Sequence, residues 1–344
     1  MTKVSVLMPV YKTNEQYLRE AIESILNQTF TDFEFLILDD CPNDTRERIV
    51  KSYKDKRIKY SINEKNLGIS ASRNKLIEMA QSEYLAVFDH DDISYPDRFE
   101  KEVKYLDEHK DIGVVSSWTR NMPKYKIAKN PSNNYDIKLC LMKECNIPHS
   151  ASMIRKSVLI DNNIRYEEEF SPAEDWALWC RLIGVTNFYS IPEPLLDYRC
   201  HETNTTKTQS DKMDKAALMI EALAKIRYPH LHMAYNMKAT HVYKLSLFNK
   251  LSIVKVKQTK NFKKIYVLGC PLFTIKESSN IEYPYQNLSK TDIILKECQD
   301  FAEQTVKENK LSFDFKKQLV RELFKKHKKT NIFQYWFYRL TKKI

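Results

Sequence analysis

Tyr84-Leu85-Ala86-Val87-Phe88-Asp89-His90-Asp91-Asp92 decides the fold class of this 344-residue chain. Five apolar or aromatic residues in a row, too few for a helix, read as a strand buried on both faces, the kind that parallel sheets contain. The strand runs directly into three carboxylates. In an extended segment alternate side chains share a side, so Asp89 and Asp91 project together while Asp92 turns into the following loop. Open α/β sheets bind ligands beyond the carboxyl ends of their strands, and the cluster falls there.

Upstream the same alternation repeats. Val4 to Val10 is a short apolar run, followed by Leu18, Ala21, Ile22, Ile25 and Leu26 at helical spacing, with Thr13 and Gln16 placed as a capping box. Phe33 to Leu38 is a further buried strand, ending at Asp39 and Asp40, and Ile49, Val50 and Tyr53 mark the helix after it. Ile58, Tyr60 and Ile62 alternate like a strand, and Ile69, Leu76, Ile77 and Ala80 carry a helix. Strands alternating with helices predict an α/β fold, a mostly parallel sheet covered on both faces.

Downstream, a helix beyond Pro96 carries Phe99, Val103 and Leu106, Ile112 to Ser117 reads as a strand, and Asn121 to Asn134 is polar and irregular. The expected organisation is 1–117 as a ligand-binding half, 118–206 as a second half of the same domain, and 207–344 as a basic, mainly helical C-terminal region. That last region is broken by an apolar segment, Ile265 to Ile275, around Gly269 and Pro271.

Composition narrows the function classes. The chain is 42% hydrophobic and 12% aromatic, which suits a packed globular protein and excludes a disordered one. No apolar run approaches the roughly 20 residues that span a bilayer, and Met1 to Val10 lacks the pattern of a signal peptide, so the expectation is a cytoplasmic protein. Seven scattered cysteines without a C-x-x-C pair read as reduced thiols. The formal charge of +11 points to an anionic partner. With only four glycines, neither G-x-G-x-x-G nor G-x-x-x-x-G-K-[ST] occurs, so a nucleotide would be held without a glycine-rich phosphate loop.

Carboxylates two apart at a strand end suit a divalent ion that must also hold a diphosphate, because such an ion wants hard oxygen ligands and open positions for phosphate oxygens. The competing structural explanation is a solvated acidic turn capping the next helix. D-x-D after an apolar strand is also how haloacid-dehalogenase-like phosphatases place a nucleophile, here Asp89, and an acid. The residues Asp92 and Ile93 that follow depart from that family's Gly then Thr or Val.

Five segments in order extend the case: Val4-Ser5-Val6-Leu7-Met8-Pro9-Val10-Tyr11, Asn27-Gln28-Thr29-Phe30, Asp39-Asp40, Asn66-Leu67-Gly68 with Arg73-Asn74, and Asp89-x-Asp91-Asp92. Glu174-Asp175-Trp176 with Leu178-Trp179 looks like an E-D motif, and Tyr198-Arg199-Cys200-His201 like a closing Y-R-x-H. Over residues 3–206 the chain resembles family 2 glycosyltransferases. The resemblance implies a GT-A fold, inverting transfer from a nucleotide sugar, and Mn²⁺ or Mg²⁺ at the D-x-D. It implies that Pro9, Tyr11, Asp39 and Asp40 line the nucleobase pocket. Asn66 and Arg73 would lie near the ribose or diphosphate, and Asp89, His90 and Asp91 would grip the metal and diphosphate. Asp92 would reach the donor sugar, Asp175 would be the base, and His201 would contact phosphate or metal. Asn146-Ile147-Pro148-His149 with Asp175 and Trp179 is similar to members that build lipooligosaccharide from UDP-hexose or UDP-N-acetylhexosamine, which brings His149 and Glu174 to the sugars.

Residue chemistry adds its own support. A pyrimidine presents an imide N–H that Asp40 at a strand end can accept; a helix cap beside Pro42 would also explain it. In Ser171-Pro172-Ala173-Glu174-Asp175, serine suits the N-cap and Glu174 the capping-box partner, while Asp175 has no structural task and sits where the helix dipole keeps a carboxylate ionised. Inverting transfer needs one such base to take the acceptor hydroxyl proton. Trp176 and Trp179 suit either an acceptor platform or core packing. The tail Lys325-Lys326-His327-Lys328-Lys329, with Phe333, Tyr335, Trp336, Phe337 and Tyr338, fits an anionic membrane interface or a solvated helix end, with no nucleic acid expected. The expected activity is therefore transfer of a hexose or N-acetylhexosamine from a UDP-sugar to a lipid-linked glycan at the inner face of a membrane. A non-catalytic sugar-nucleotide-binding protein is the other alternative.

Overall fold

The apolar run Val4–Val10 forms β1, buried along its whole length, because it has a parallel neighbour on each side: β2 (Phe33–Asp39) and the later strand Tyr84–Val87. The computed structural model describes residues 2–202, 204 and 208–238, and the backbone of 241–247, 251–259, 262–267 and 270–276. By contact the chain divides into two compact units, 1–220 and 221–344.

β3 (Ile58–Ile62) extends the sheet beyond β2, again in parallel. The chain thus moves outward from β1, then returns to the opposite side of β1 as β4 (Tyr84–Val87). Where the winding reverses, the connections diverge and leave a cleft beyond the strand ends. Asp39 and Asp89 stand at those ends, as expected. β5 (Ile93–Ser94), β6 (Ile112–Met122), β7 (Lys126–Ala128), β8 (Ser152–Arg155) and β9 (Asn187–Arg199) complete the sheet in the order β3-β2-β1-β4-β8-β6-β9-β5, with β7 hanging off β6. β8 runs antiparallel to β4 and β6, β9 parallel to β6, and β5 antiparallel to β9.

The covering helices follow the apolar spacing. They are α1 (Glu15–Leu26), α2 (Glu47–Lys51), α3 (Ile69–Met79), α4 (Arg98–Glu108), α5 (Asn134–Cys140), α6 (Lys156–Ile160) and α7 (Glu174–Leu182). α1 buries Leu18, Ala21, Ile22 and Ile25, and α4 buries Phe99, Val103 and Leu106 against the same core. Each fully buried large side chain stabilises by about 1.5–3 kcal/mol. α1 is capped by Asn14, whose side chain accepts from the amides of Gln16 and Tyr17, and not by Thr13. Thr13 faces His90 instead.

A buried ion pair lies directly beneath β4. Arg98 and Glu102, one turn apart on α4, are both fully enclosed. Arg98 Nη2 also donates to the carbonyls of Val87 at 3.0 Å and Ser152 at 3.4 Å, tying the ends of β4 and β8 to the helix. Burial pushes the Glu102 carboxyl up to about 7 against the pull of Arg98.

Two expectations change. The polar stretch 121–134 is not irregular throughout, since β6 runs on to Met122 and β7 folds back on it as a hairpin. The region after 207 opens with two helices, α8 (Ser210–Arg227) and α9 (Pro229–Lys238), but then forms a four-stranded antiparallel meander of β10 (His241–Leu247), β11 (Leu251–Thr259), β12 (Phe262–Val267) and β13 (Cys270–Lys276). Alternation such as Val254-Lys255-Val256-Lys257 has the period of a strand, and it overrides the helix-forming composition. The basic tail 325–344 lies outside the described residues. Among those described, no helix is long and apolar enough to cross a membrane.

Candidate functional site

The C-terminal ends of β1, β2 and β4 place Tyr11, Asp39, Asp40 and Asp89 around one cleft. Tyr11 follows β1 and is 44% exposed, leaving its ring available for stacking. Pro9 ends inside β1 next to it. The two aspartates after β2 are buried and engaged. Asp39 accepts from the amides of Cys41 and Arg46 and from the Tyr60 hydroxyl. Asp40 Oδ1 accepts from Asn63 Nδ2 and the Leu67 amide, and its Oδ2 from the Gly68 amide, each at 2.8 Å. Gly68, at φ +83°, takes the left-handed backbone that lets consecutive amides converge on that carboxylate. The Asn66 side chain accepts from the same Gly68 amide and closes the turn. A carboxylate has about four acceptor positions, so Asp40 keeps one, on Oδ2.

The acidic cluster divides into distinct tasks. Asp89 accepts from Arg73 Nη2 at 2.9 Å and from the Ser150 hydroxyl at 2.8 Å. Against the cost of burial, the guanidinium holds its carboxyl well below the usual carboxylate range. His90 Nδ1 and the Thr13 hydroxyl, 2.8 Å apart, join this loop to the one after β1. Asp91 Oδ2 accepts from His201 Nε2 at 2.8 Å, across 110 positions of sequence. Asp92 turns inward: it is 1% exposed, its Oδ1 accepts from the Arg199 amide, and Oδ2 has no hydrogen-bond partner among the described residues. Burial, reinforced by Asp91 and Asp89, pushes its carboxyl well up. The expected reach of Asp92 to a donor sugar is therefore not what its position offers; it anchors the loop to β9.

Arg199 gathers the cluster. Its Nε donates to the Asp91 carbonyl, its amide to Asp92, and its far end to Glu20 on α1, while its guanidinium lies 4.1 Å from the Tyr17 ring centroid. Sequence reasoning quoted Tyr198-Arg199-Cys200-His201 without giving Arg199 a role, and it missed Ser150 altogether. The Y-R-x-H pattern could have pointed to Arg199; nothing local marks Ser150.

Asp91 and His201 are the carboxylate and imidazole of the cluster that meet each other. Among the described residues no three acidic, histidine or cysteine side chains converge to hold a metal ion. An ion taken between Asp91 and His201 would replace the Nε2 proton, and one oxygen and one nitrogen from the protein would leave the remaining positions to phosphate oxygens and water, the usual economy of nucleotide-bound Mg²⁺ or Mn²⁺. The residues fit that use.

At the far side of the cleft, α7 starts at Glu174 with Ala173 as N-cap. Ser171 is not the cap, because it closes the preceding 3-10 turn Glu168–Phe170, its amide bonded to the Glu168 carbonyl. Glu174 is consequently no capping-box partner. Its Oε1 meets Arg73 Nη1 at 2.5 Å. Asp175, partly exposed, accepts the Trp176 amide on Oδ1, and the Cys145 thiol lies 3.7 Å from Oδ2. Burial and the adjacent Glu174 raise its carboxyl to about 6, opposed by Arg73. The carboxylate expected to be ionised at the helix start is thus made more basic by its surroundings, yet still ionises below neutral pH.

Three expected sugar contacts prove to be core. Trp179 is fully enclosed, Trp176 is 6% exposed with its indole N–H on the Leu141 carbonyl, and His149 is buried with Nε2 on the Tyr166 hydroxyl. Burial and Arg73 push the His149 imidazolium well down, so it stays neutral. Trp176 and Trp179 form part of the buried face of α7, and His149 packs against Trp179.

Cys145 reports on Asp175 without any substrate. The residue is exposed as a whole, but desolvation at its sulfur, together with the Asp175 charge, raises the thiol well above the usual thiol range. Asp175→Asn is expected to speed iodoacetamide alkylation of Cys145 several-fold at pH 8, read by peptide mass spectrometry, since thiolate is the reacting form. An unchanged rate would separate the two groups electrostatically.

The sequence model described as Glycosyl transferase family 2 matches residues 5–162. An uncharacterized glycosyltransferase of Methanocaldococcus jannaschii is 40% identical over 205 residues, covering 57% of this chain and 70% of that protein. In structure the chain is similar to TarS 1–349 of S. aureus in complex with UDP-GlcNAc, with a TM-score of 0.55 and 21% identity over 65% of this chain and 66% of that one. It is also similar to a mannosyltransferase of Pyrobaculum calidifontis in complex with GDP-Man and Mn²⁺, with a TM-score of 0.52 and 14% identity over 69% and 70%.

Proposed function

This chain belongs to glycosyl transferase family 2, and from that premise we propose that it moves a hexose or N-acetylhexosamine from a UDP-sugar to a hydroxyl of a lipid-linked glycan, such as a lipooligosaccharide or capsule precursor, with inversion. The observation that carries this reading is the bridge of Arg73, which holds Asp89 of the acidic loop with one arm and Glu174, next to Asp175, with the other. A partly exposed carboxylate raised to about 6 is a proton acceptor matched to neutral pH.

UDP is favoured over GDP by what Asp40 has left. One free acceptor position matches the single imide N–H of uracil, whereas guanine presents two adjacent donors. Tyr11 offers its ring to the base. A divalent ion, Mn²⁺ or Mg²⁺, held by Asp91 and His201 would neutralise the departing diphosphate. Asp175 takes the acceptor hydroxyl proton as the oxygen attacks the anomeric carbon, from the face opposite the leaving group. Asp89 does not act as a phosphatase nucleophile in this reading, since Arg73 and Ser150 already occupy its oxygens. The charge of +11 and the basic, aromatic segment 325–343 support an acceptor carried on an anionic membrane.

A thermal-shift panel of nucleotide sugars with and without Mn²⁺ tests the donor half. The expected result is stabilisation by UDP-sugars that requires the metal and is lost in Asp91→Asn. Equal stabilisation by GDP-sugars, or binding indifferent to metal, would overturn it.

A further inference from the structure

Arg73 on α3 and Glu174 on α7 are 101 positions apart, both buried, and joined by the contact of Nη1 with Oε1 at 2.5 Å. The other arm of the same guanidinium holds Asp89 at the end of β4. One side chain therefore links the donor side of the cleft to the turn that carries Asp175. Arg73 Nε and Glu174 Oε2 have no hydrogen-bond partner among the described residues, so neither charge has a second anchor at those atoms. Opening the link would leave the buried Glu174 carboxylate without the guanidinium that faces it, which is costly, so the link resists opening.

We propose that Arg73 and Glu174 are a positioning pair for Asp175, clamping the first turn of α7 to Asp89 and setting one positive and one negative charge beside the base. The proposal rests on the reading of Asp175 as proton acceptor. Because Asp89 and Asp91 share one loop, the clamp fixes the distance from donor grip to base whatever acceptor fills the cleft. The two charges act on Asp175 in opposite senses: Glu174 disfavours its ionised form and Arg73 favours it. The other charged or titratable groups that face it are Asp89 from β4, Cys145 from the loop after α5 and Tyr166 from the segment before α7.

The test uses full-length protein labelled with ¹³C at aspartate carboxyls, the Asp175 resonance being identified by its loss in Asp175→Asn. Wild type is expected to titrate near 6, Glu174→Gln about one unit lower and Arg73→Gln about one unit higher. A folded Glu174→Gln variant that titrates with wild type overturns the proposal, and it decides alone should Arg73→Gln fail to fold. In turnover, Glu174→Gln lowers kcat and leaves the donor KM in place. Activity retained by Asp175→Asn would sink the base assignment while the titration shifts stood; an inactive Asp175→Asn beside an unmoved Glu174→Gln would sink the clamp alone.

Discussion

Asp175→Asn is expected to lower turnover by roughly a hundred- to ten-thousand-fold, the usual worth of a positioned general base, while UDP-sugar binding stays intact. The asparagine keeps the shape and can still accept the Trp176 amide through its carbonyl oxygen, so α7 should start unchanged. What it loses is the carboxylate that burial and Glu174 raise to about 6. In wild type the base is ionised above that value, so kcat should fall as pH drops below about 6, with no comparable acidic limb in donor affinity. Stopped sugar transfer with unchanged calorimetric donor binding is the outcome to look for. Equal loss of both would make Asp175 a binding residue.

Arg98→Met should be the most damaging single change away from the cleft. It strands Glu102 in the core and frees the carbonyls of Val87 and Ser152, and breaking one side of a buried pair costs about 3–5 kcal/mol. The pH dependence follows from Glu102. Its folded value, about 7, lies above the ordinary 4.5, so its contribution to stability is complete below 4.5 and is lost as pH rises through 7. Denaturant midpoints should therefore show a larger deficit for Arg98→Met at pH 8 than at pH 5. Arg98→Met with Glu102→Leu should recover most of it. A deficit independent of pH would mean that Glu102 is not the stranded charge.

The half of the fold that winds outward from β1 was legible because Val4–Val10, Phe33–Asp39 and Tyr84–Val87 are buried on both faces and so carry unbroken apolar runs. β9 was not, because its thirteen residues include two prolines and several polar positions whose partners lie far off in sequence. The same limit governs the site. Asp89, Asp91 and Asp175 announced themselves through strand ends and a helix start. Glu174 misled, since Ser-Pro-x-Glu is a sound local cap, and only a guanidinium 101 residues upstream outcompetes it. Trp176 and Trp179 could not be sorted between platform and core by spacing, as α7 is apolar on most of its surface. Asp40 stands just beyond β2, where an apolar run that stops at two aspartates put it, but its three intramolecular donors were beyond sequence reasoning.

β5, the two-residue strand that follows Asp92, pairs with β9 in the sheet, and Asp91 and Asp92 are secured by Arg199 and His201. During synthesis on the ribosome the acidic loop emerges about a hundred residues before its partners, at 5–20 residues per second. For those seconds Asp91 and Asp92 lack the residues that secure them in the finished fold. The anchoring of the acidic loop is thus completed only once β9 has docked.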